Sequence, residues 1–257
     1  MAHFVIGDLH GYLSDFRRLL VENQLCDERD QWIGGQHNLW MIGDFFDRGD
    51  EGVACVDLIM DLQRQAAAVG GSVQGLLGNH ELMVLAAYKF GHQPASTDQS
   101  FLQLWQRWGG VIDEMARLTP AHVAWLERLP AMQRVDNRLL VHADSMFYVE
   151  QGRSVEAVND NLFALTQSDD HDRWLSILRA FSERQAFSGL LMTGTQRAKQ
   201  MLRYFGAEQL IHGHTPISEA NGTPPEDVLQ AWVYADGQCV NVDGGLYLGG
   251  PGFVYRF

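Results

Sequence analysis

Short apolar runs along this chain alternate with longer stretches in which apolar residues recur at helical spacing. Residues 2–6 form the first run and read as a strand that ends at Gly7-Asp-Leu-His-Gly11. Ser14 and Asp15 then lead into residues 16–22, where Phe16, Leu19 and Leu20 have helical spacing. A second run, 37–42, reads as a buried strand running straight into Gly43-Asp-Phe-Phe-Asp-Arg-Gly49. Residues 53–69 are expected as a long helix with Val53, Val56, Leu58, Ile59 and Leu62 on one side, stopped by Gly70-Gly71. A third strand, 72–77, ends at Gly78-Asn-His-Glu81, and a helix over 82–88 follows. Three strand–turn–helix units in a row, each with a polar cluster at the carboxyl end of its strand, predict an α/β fold. The sheet should be parallel or mixed, with helices on its faces and the clusters converging along one edge.

The pattern changes at 91–130. A polar loop is followed by Leu104, Trp105 and Trp108 at helical spacing, then by helical segments at 111–118 and 120–129. The tryptophans are read as core, with stacking on a ligand as the alternative. Strand character resumes over 133–141 and ends at His142; residues 152–205 are again helical, with a polar break at 168–172. A strand at 209–211 ends at His212-Gly-His-Thr-Pro216, a loop covers 219–227, and closing strands are expected at 231–234, 239–243 and 253–256. One domain over 1–257 is expected, with helical insertions at about 91–130 and 150–205 that cap the strand ends.

Composition narrows the classes. Lys and Arg total 19 against 32 Asp and Glu, a net charge of −13 that argues against a broad nucleic-acid or anionic-membrane footprint. Three cysteines, Cys26, Cys55 and Cys239, are odd in number and widely spaced, so small buried thiols are expected rather than a disulfide framework. Met1 opens directly onto a strand-like run, and no apolar run approaches the length of a membrane span. A cytosolic location and no membrane partner are expected.

The strand ends collect Asp8 and His10, Asp44 with Asp47 and Arg48, Asn79 and His80, His142, and His212 with His214. Imidazole, carboxylate and amide oxygen without thiolate suit Mn²⁺, Fe²⁺, Zn²⁺ or Co²⁺. These are too many ligands for one ion, whereas two ions roughly 3.5–4 Å apart with a shared carboxylate would use them all. In this order the motifs Gly7-Asp-x-His-Gly11, Gly43-Asp-x-x-Asp-Arg-Gly49, Gly78-Asn-His-Glu81, His142-Ala143 and Gly213-His-Thr215 resemble the calcineurin-like metallophosphoesterases. Within these they resemble the phosphoprotein phosphatase branch, and the wording from Asp47 to Met83 looks most like bacterial Shewanella-like phosphatases.

That resemblance implies a β-sandwich of mixed sheets flanked by helices, with helical cap insertions. It implies that Asp8 and His10 hold one divalent metal, that Asp44 bridges, and that Asn79, His142 and His214 complete the other. A hydroxide between the two ions, with manganese the first candidate, would attack phosphorus in line. Arg48 would clamp phosphoryl oxygens and His80, oriented by Asp47, would protonate the leaving oxygen. The expected substrates are phosphomonoesters, on phosphoserine, phosphothreonine or phosphotyrosine of proteins; a dinucleoside tetraphosphate is the alternative, and a non-catalytic metal-binding module the alternative of another class.

Around this set several readings stay open. His212 is expected behind the ligands or in the core. Glu81 is adequately explained as an acid at a helix N-terminus. Asp243 either supports the site from behind or serves a turn. Two departures from the family pattern stand out. Asp144 replaces a usual glycine, where a carboxylate could approach the second metal or repel phosphate. The tract Gly189-Leu-Leu-Met-Thr-Gly-Thr195 lacks the second phosphate-binding arginine, leaving Arg184 or Arg173 as candidates. His3, His92, His122 and His171 carry no motif.

Overall fold

The computed structural model describes residues 1–96, 98–188 and 193–257. The first half contains β1 (His3–Ile6), α1 (Leu13–Glu22), β2 (Asn38–Met41), α2 (Gly52–Ala68), β3 (Ser72–Gly75) and α3 (Asn79–Phe90). Three short helices follow, α4 (Phe101–Arg107), α5 (Ile112–Arg117) and α6 (Pro120–Leu126), then β4 (Met132–Val135) and β5 (Arg138–Val141). Helices α7 (Phe147–Gln151), α8 (Val155–Thr166), α9 (His171–Phe181) and α10 (Thr193–Phe205) lead to β6 (Gln209–His212) and α11 (Ile217–Asn221). Strands β7 (Trp232–Tyr234), β8 (Cys239–Asn241) and β9 (Tyr255–Arg256) close the fold.

Two mixed sheets result, one ordered β3-β2-β1-β9 and the other β4-β5-β6-β8-β7. Alternation along the strands explains how they stack. Val5, Ile42 and Leu76 from the first sheet meet Val135, Leu140, Ile211, Val240 and Val242 from the second in one apolar layer. Their neighbours Phe4, Ile6, Leu139, Val141 and Leu210 point the other way, into the larger core beneath the helices. Each fully buried aliphatic side chain in this layer contributes about 1.5–3 kcal/mol. The α/β sandwich flanked by helices is the predicted fold class.

Several boundaries differ from the sequence reading. The run 133–141 is a hairpin rather than one strand: β4 and β5 pair antiparallel, and Asp136 turns the chain at φ 53°, a left-handed conformation that aspartate tolerates. The second helical tract begins early, at Phe147, and breaks again after Phe181. Part of the loop at 219–227 is helical, because α11 continues to Asn221 and a 3-10 turn covers Pro225–Asp227. Helix α3 starts at Asn79, so the third motif is its first turn rather than a loop ahead of it. Trp105 is buried as expected, but Trp108 is 51% exposed, because α4 ends at Arg107 and the chain turns away. The three cysteines are buried and free. Among the described residues no helix is long and apolar enough to cross a membrane.

Candidate metal centre

Parallel pairing of β1, β2 and β3 brings their carboxyl ends to one edge, and β5 and β6 do the same from the facing sheet. The polar clusters must therefore meet where the sheets share an edge. To turn inward, His10, Asp44, Asp47, Arg48 and His214 all take left-handed φ, between 47° and 72°. Non-glycine residues held there cost about 1–3 kcal/mol each, strain that surrounding contacts must offset. Glycine is required at Gly78, where a Cβ would collide with Asp44 Oδ1 and lie 2.6 Å from Glu81 Oε2.

The predicted ligands converge. His10 Nε2 lies 3.7 Å from Asp8 Oδ2 and 3.8 Å from Asp44 Oδ2. His142 Nε2 lies 3.0 Å from Asn79 Oδ1, 3.1 Å from His214 Nδ1 and 3.2 Å from Asp44 Oδ1. Asp44 is common to both groups. All six side chains are at most 3% exposed. His10 and His142 each donate Nδ1–H to a backbone carbonyl, of Phe46 at 2.9 Å and Ile42 at 2.8 Å, which turns Nε2 toward the centre.

The donor set fits divalent cations on its own terms. Asp8 Oδ2, His10 Nε2, Asp44 Oδ2 and His214 Nε2 are buried without a hydrogen-bond partner. Around His142 Nε2, one ring proton would have to serve three neighbours. The charges agree. Burial, then the carboxylates of Asp243 and Asp44, push Asp8 well above the carboxylate range, a repulsion that a cation cancels. Burial works against the charge on His142 too, yet Asp44 and Asp8 hold it up at about 9. For His10 and His214 burial dominates and keeps the rings neutral, the form that binds metal.

Asp47 Oδ2 lies 2.6 Å from His80 Nδ1, and His80 Nε2 faces Asp44 Oδ2 at 3.9 Å. Burial would lower the His80 pKa, but Asp44 and Asp47 outweigh it and hold the ring above its ordinary value. His80, Asp44 and His10 also form a group compact enough to hold an ion. Arg48 makes no ion pair among the described residues; its guanidinium lies 3.7 Å over the Tyr247 ring. Arg184 donates to the backbone oxygen of His214. Arg173 is bound to Asn161, at 2.8 Å and 3.0 Å. Residues 189–192 of the tract without an arginine lie outside the described residues.

Asp144 joins neither group of metal-ligating side chains: it accepts from Thr215 Oγ1 at 2.9 Å, beside His212. His212 itself is bound to Tyr234 OH at 2.8 Å and stands behind the Gly213-His214 turn. Other supporting residues were only partly legible. Glu81 is more than a helix-terminal acid: it accepts from the amides of Asp44, Phe45 and Gly78 at 2.7–2.9 Å and locks the second and third motifs together. Trp105 donates Nε1–H to Asp47 Oδ1 at 2.8 Å. Asp243 is fully buried, one oxygen held by Gly245 N and the other unpartnered beside Asp8, and burial raises it to about 6. The Val242-Asp-Gly-Gly245 run was the only signal for it.

Comparison with known proteins agrees with this geometry. The calcineurin-like phosphoesterase profile matches residues 2–218. The chain is 34% identical over 103 residues to Shewanella-like protein phosphatase 2 of Arabidopsis thaliana, covering 40% of this chain and 26% of that protein. It is 30% identical over 241 residues to a symmetrical bis(5'-nucleosyl)-tetraphosphatase of Haemophilus ducreyi, covering 92% of this chain and 79% of the relative. It spans only 26% and 37% of the lengths of two Shewanella-like phosphatases among its relatives. The crystal structure of a cold-active protein-tyrosine phosphatase from a psychrophilic Shewanella shares the fold, with TM-score 0.74 at 20% identity, covering 99% of this chain and 74% of that one. The chain belongs to the calcineurin-like phosphoesterase family.

Proposed function

We propose that the chain hydrolyses phosphomonoesters at a two-metal centre, by in-line displacement without a phosphorylated enzyme. The observation that carries this is the set of unpartnered buried atoms Asp8 Oδ2, His10 Nε2 and Asp44 Oδ2, which face one another at the edge common to both sheets, with His142 and His214 grouped on the other side of Asp44. In this reading Asp8, His10 and Asp44 hold one ion, and Asp44, Asn79, His142 and His214 the other. Bound divalent ions, manganese first among the candidates and iron, zinc or cobalt the others, supply charge neutralisation at phosphorus and acidify water toward pH 7. Arg48 presents a planar fork of donors to phosphoryl oxygens. His80 holds its proton at Nε2 for the departing oxygen because Asp47 takes Nδ1 and favours the charged ring. Arg184 lies close enough to His214 to add a cationic contact on the far side.

Phosphorylated serine, threonine or tyrosine on proteins is the first substrate class. A dinucleoside tetraphosphate is the second, favoured by two observations. The alignment to a tetraphosphatase runs through almost the whole chain. In addition, a cavity of about 420 Å³ is lined by Met83, Leu104, Leu178, Arg107, Arg179 and the exposed Trp108. Its apolar floor and indole suit a nucleobase, and its arginines, without ion-pair partners among the described residues, suit a phosphate chain. The test is turnover of p-nitrophenyl phosphate with Mn²⁺, abolished by chelator, followed by rates on a phosphopeptide and on diadenosine tetraphosphate. Absence of turnover with every divalent metal tried would leave a metal-binding interaction module as the remaining reading.

A further inference from the structure

The residue that would grip phosphate is itself gripped by nothing polar. Arg48 sits at φ 71° in a strained turn, and among the described residues its guanidinium makes no hydrogen bond or ion pair. An arginine left this way samples many rotamers, and each binding event would have to freeze them. What it has is a ring. The guanidinium carbon lies 3.7 Å from the centroid of Tyr247, close enough for a strong cation–π contact. The same ring meets His10 edge-on, with centroids 5.1 Å apart and planes at 87°.

Tyr247 is held for this task by its loop. It lies in a 3-10 turn over Leu246–Leu248 whose two ends are Gly245 at φ 66° and Gly249 at φ 87°. Gly245 N donates to Asp243 Oδ1 at 2.9 Å, so the loop is tied to the carboxylate that flanks Asp8. Leu246 is buried beside it and anchors the turn in the core. The ring is thus carried by the turn that follows β8 of the second sheet, with its hydroxyl 3.5 Å from Glu219 Oε1, while Arg48 approaches from the end of β2 in the first.

From this we infer that Tyr247 is a positioning residue for the phosphate clamp: its ring stacks under Arg48 and aims the free guanidinium donors at the substrate's phosphoryl oxygens. The inference rests on the proposed role of Arg48. Stacking occupies the face of the guanidinium and leaves all its N–H groups, which lie in the plane, available to an oxyanion. A carboxylate partner would orient the arginine too, but it would consume those donors and repel phosphate.

The test compares Tyr247→Leu, Tyr247→Phe, Arg48→Ala and the Tyr247→Leu/Arg48→Ala double variant in the manganese-loaded protein. The readouts are the inhibition constant of inorganic phosphate, KM and kcat on p-nitrophenyl phosphate, and metal content. Tyr247→Leu is expected to weaken phosphate binding and raise KM on the order of five- to tenfold, with a smaller change in kcat. Tyr247→Phe, which keeps the ring, should recover phosphate affinity to within about twofold of wild type. In the Arg48→Ala background the leucine substitution should add almost nothing, since the two side chains act as a unit. An undiminished effect of Tyr247→Leu in that background overturns the inference, as does a loss of metal that accounts for the loss of activity through His10. Equal phosphate affinity in wild type and Arg48→Ala would instead remove Arg48 from the clamp, and that failure belongs to the proposed function.

Discussion

At the scale of single residues, the Asp47–His80 pair carries the sharpest expectation. The 2.6 Å contact and the buried Asp44 carboxylate hold His80 protonated above the ordinary imidazole range, which matters only when the leaving oxygen is a strong base. His80→Asn should therefore lower kcat on an alkyl phosphate such as phosphoserine by about 10²–10⁴, the usual reach of general acid catalysis, and on p-nitrophenyl phosphate by far less. Steady-state kinetics on both esters decides it; equal losses would take the acid role away from His80. The residues of this site that could be read from the sequence were those at strand ends, most of them in short glycine-flanked motifs and His142 by its place after a strand. Glu81 was underrated because its burden, two amides of the neighbouring turn, is 36 to 37 positions away. Tyr247 had no local signal at all, since its partners Arg48 and His10 arrive from the other sheet.

At the scale of elements, the three β-α units were legible because each strand is a short apolar run closed by a glycine, and α1 and α2 each have one apolar face, while α3 is buried almost all round. The β4–β5 hairpin was not, because its turn at Asp136-Asn137 carries neither glycine nor proline to mark it. Helix α4 shows what such reading misses. Seven residues cannot sustain a helix in water, and α4 relies on the Ser100–Gln103 capping box and on packing against α3. Its buried Trp105 was assigned to the core, which it fills, but its indole N–H also fixes Asp47. Trp105→Phe keeps most of the apolar volume and leaves one oxygen of a buried carboxylate unsatisfied. A loss of about 1.5–3 kcal/mol is expected in urea unfolding, the range for a hydrogen bond to a charged group. The rate on poor leaving groups should fall with it, because Asp47 then orients His80 less firmly. A stability loss with no change in that rate would show α4 to be scaffold alone.

At the scale of the whole molecule, the two sheets share an apolar layer along their length but meet at the functional edge through buried polar groups. Asp8, Asp44, Glu81 and Asp243 are all nearly or fully buried there, and burial, together with mutual repulsion, raises Asp8, Glu81 and Asp243. Only Asp44 is held well below the usual carboxylate range, by His142 and His80 outweighing its burial. Such an edge opposes folding unless cations neutralise it, so metal binding and folding must be linked. A single site filled at a hundred times its Kd adds about 2.7 kcal/mol. At roughly 2–4 °C per kcal/mol for a chain of this size, Mn²⁺ should raise the melting temperature by about 5–10 °C, and chelator should reverse the shift. The shift should depend on Asp44, whose carboxylate adjoins candidate ligands from both sheets: His10 on the first, His142 on the second. Metal-free Asp44→Asn should melt lower than metal-free wild type, because the ionised carboxylate is net stabilised there by His142 and His80, and should respond to manganese by less than about half as much. Calorimetric melting with and without Mn²⁺ separates the two effects. An undiminished manganese shift in Asp44→Asn would place the stabilising ions away from the edge where the sheets join.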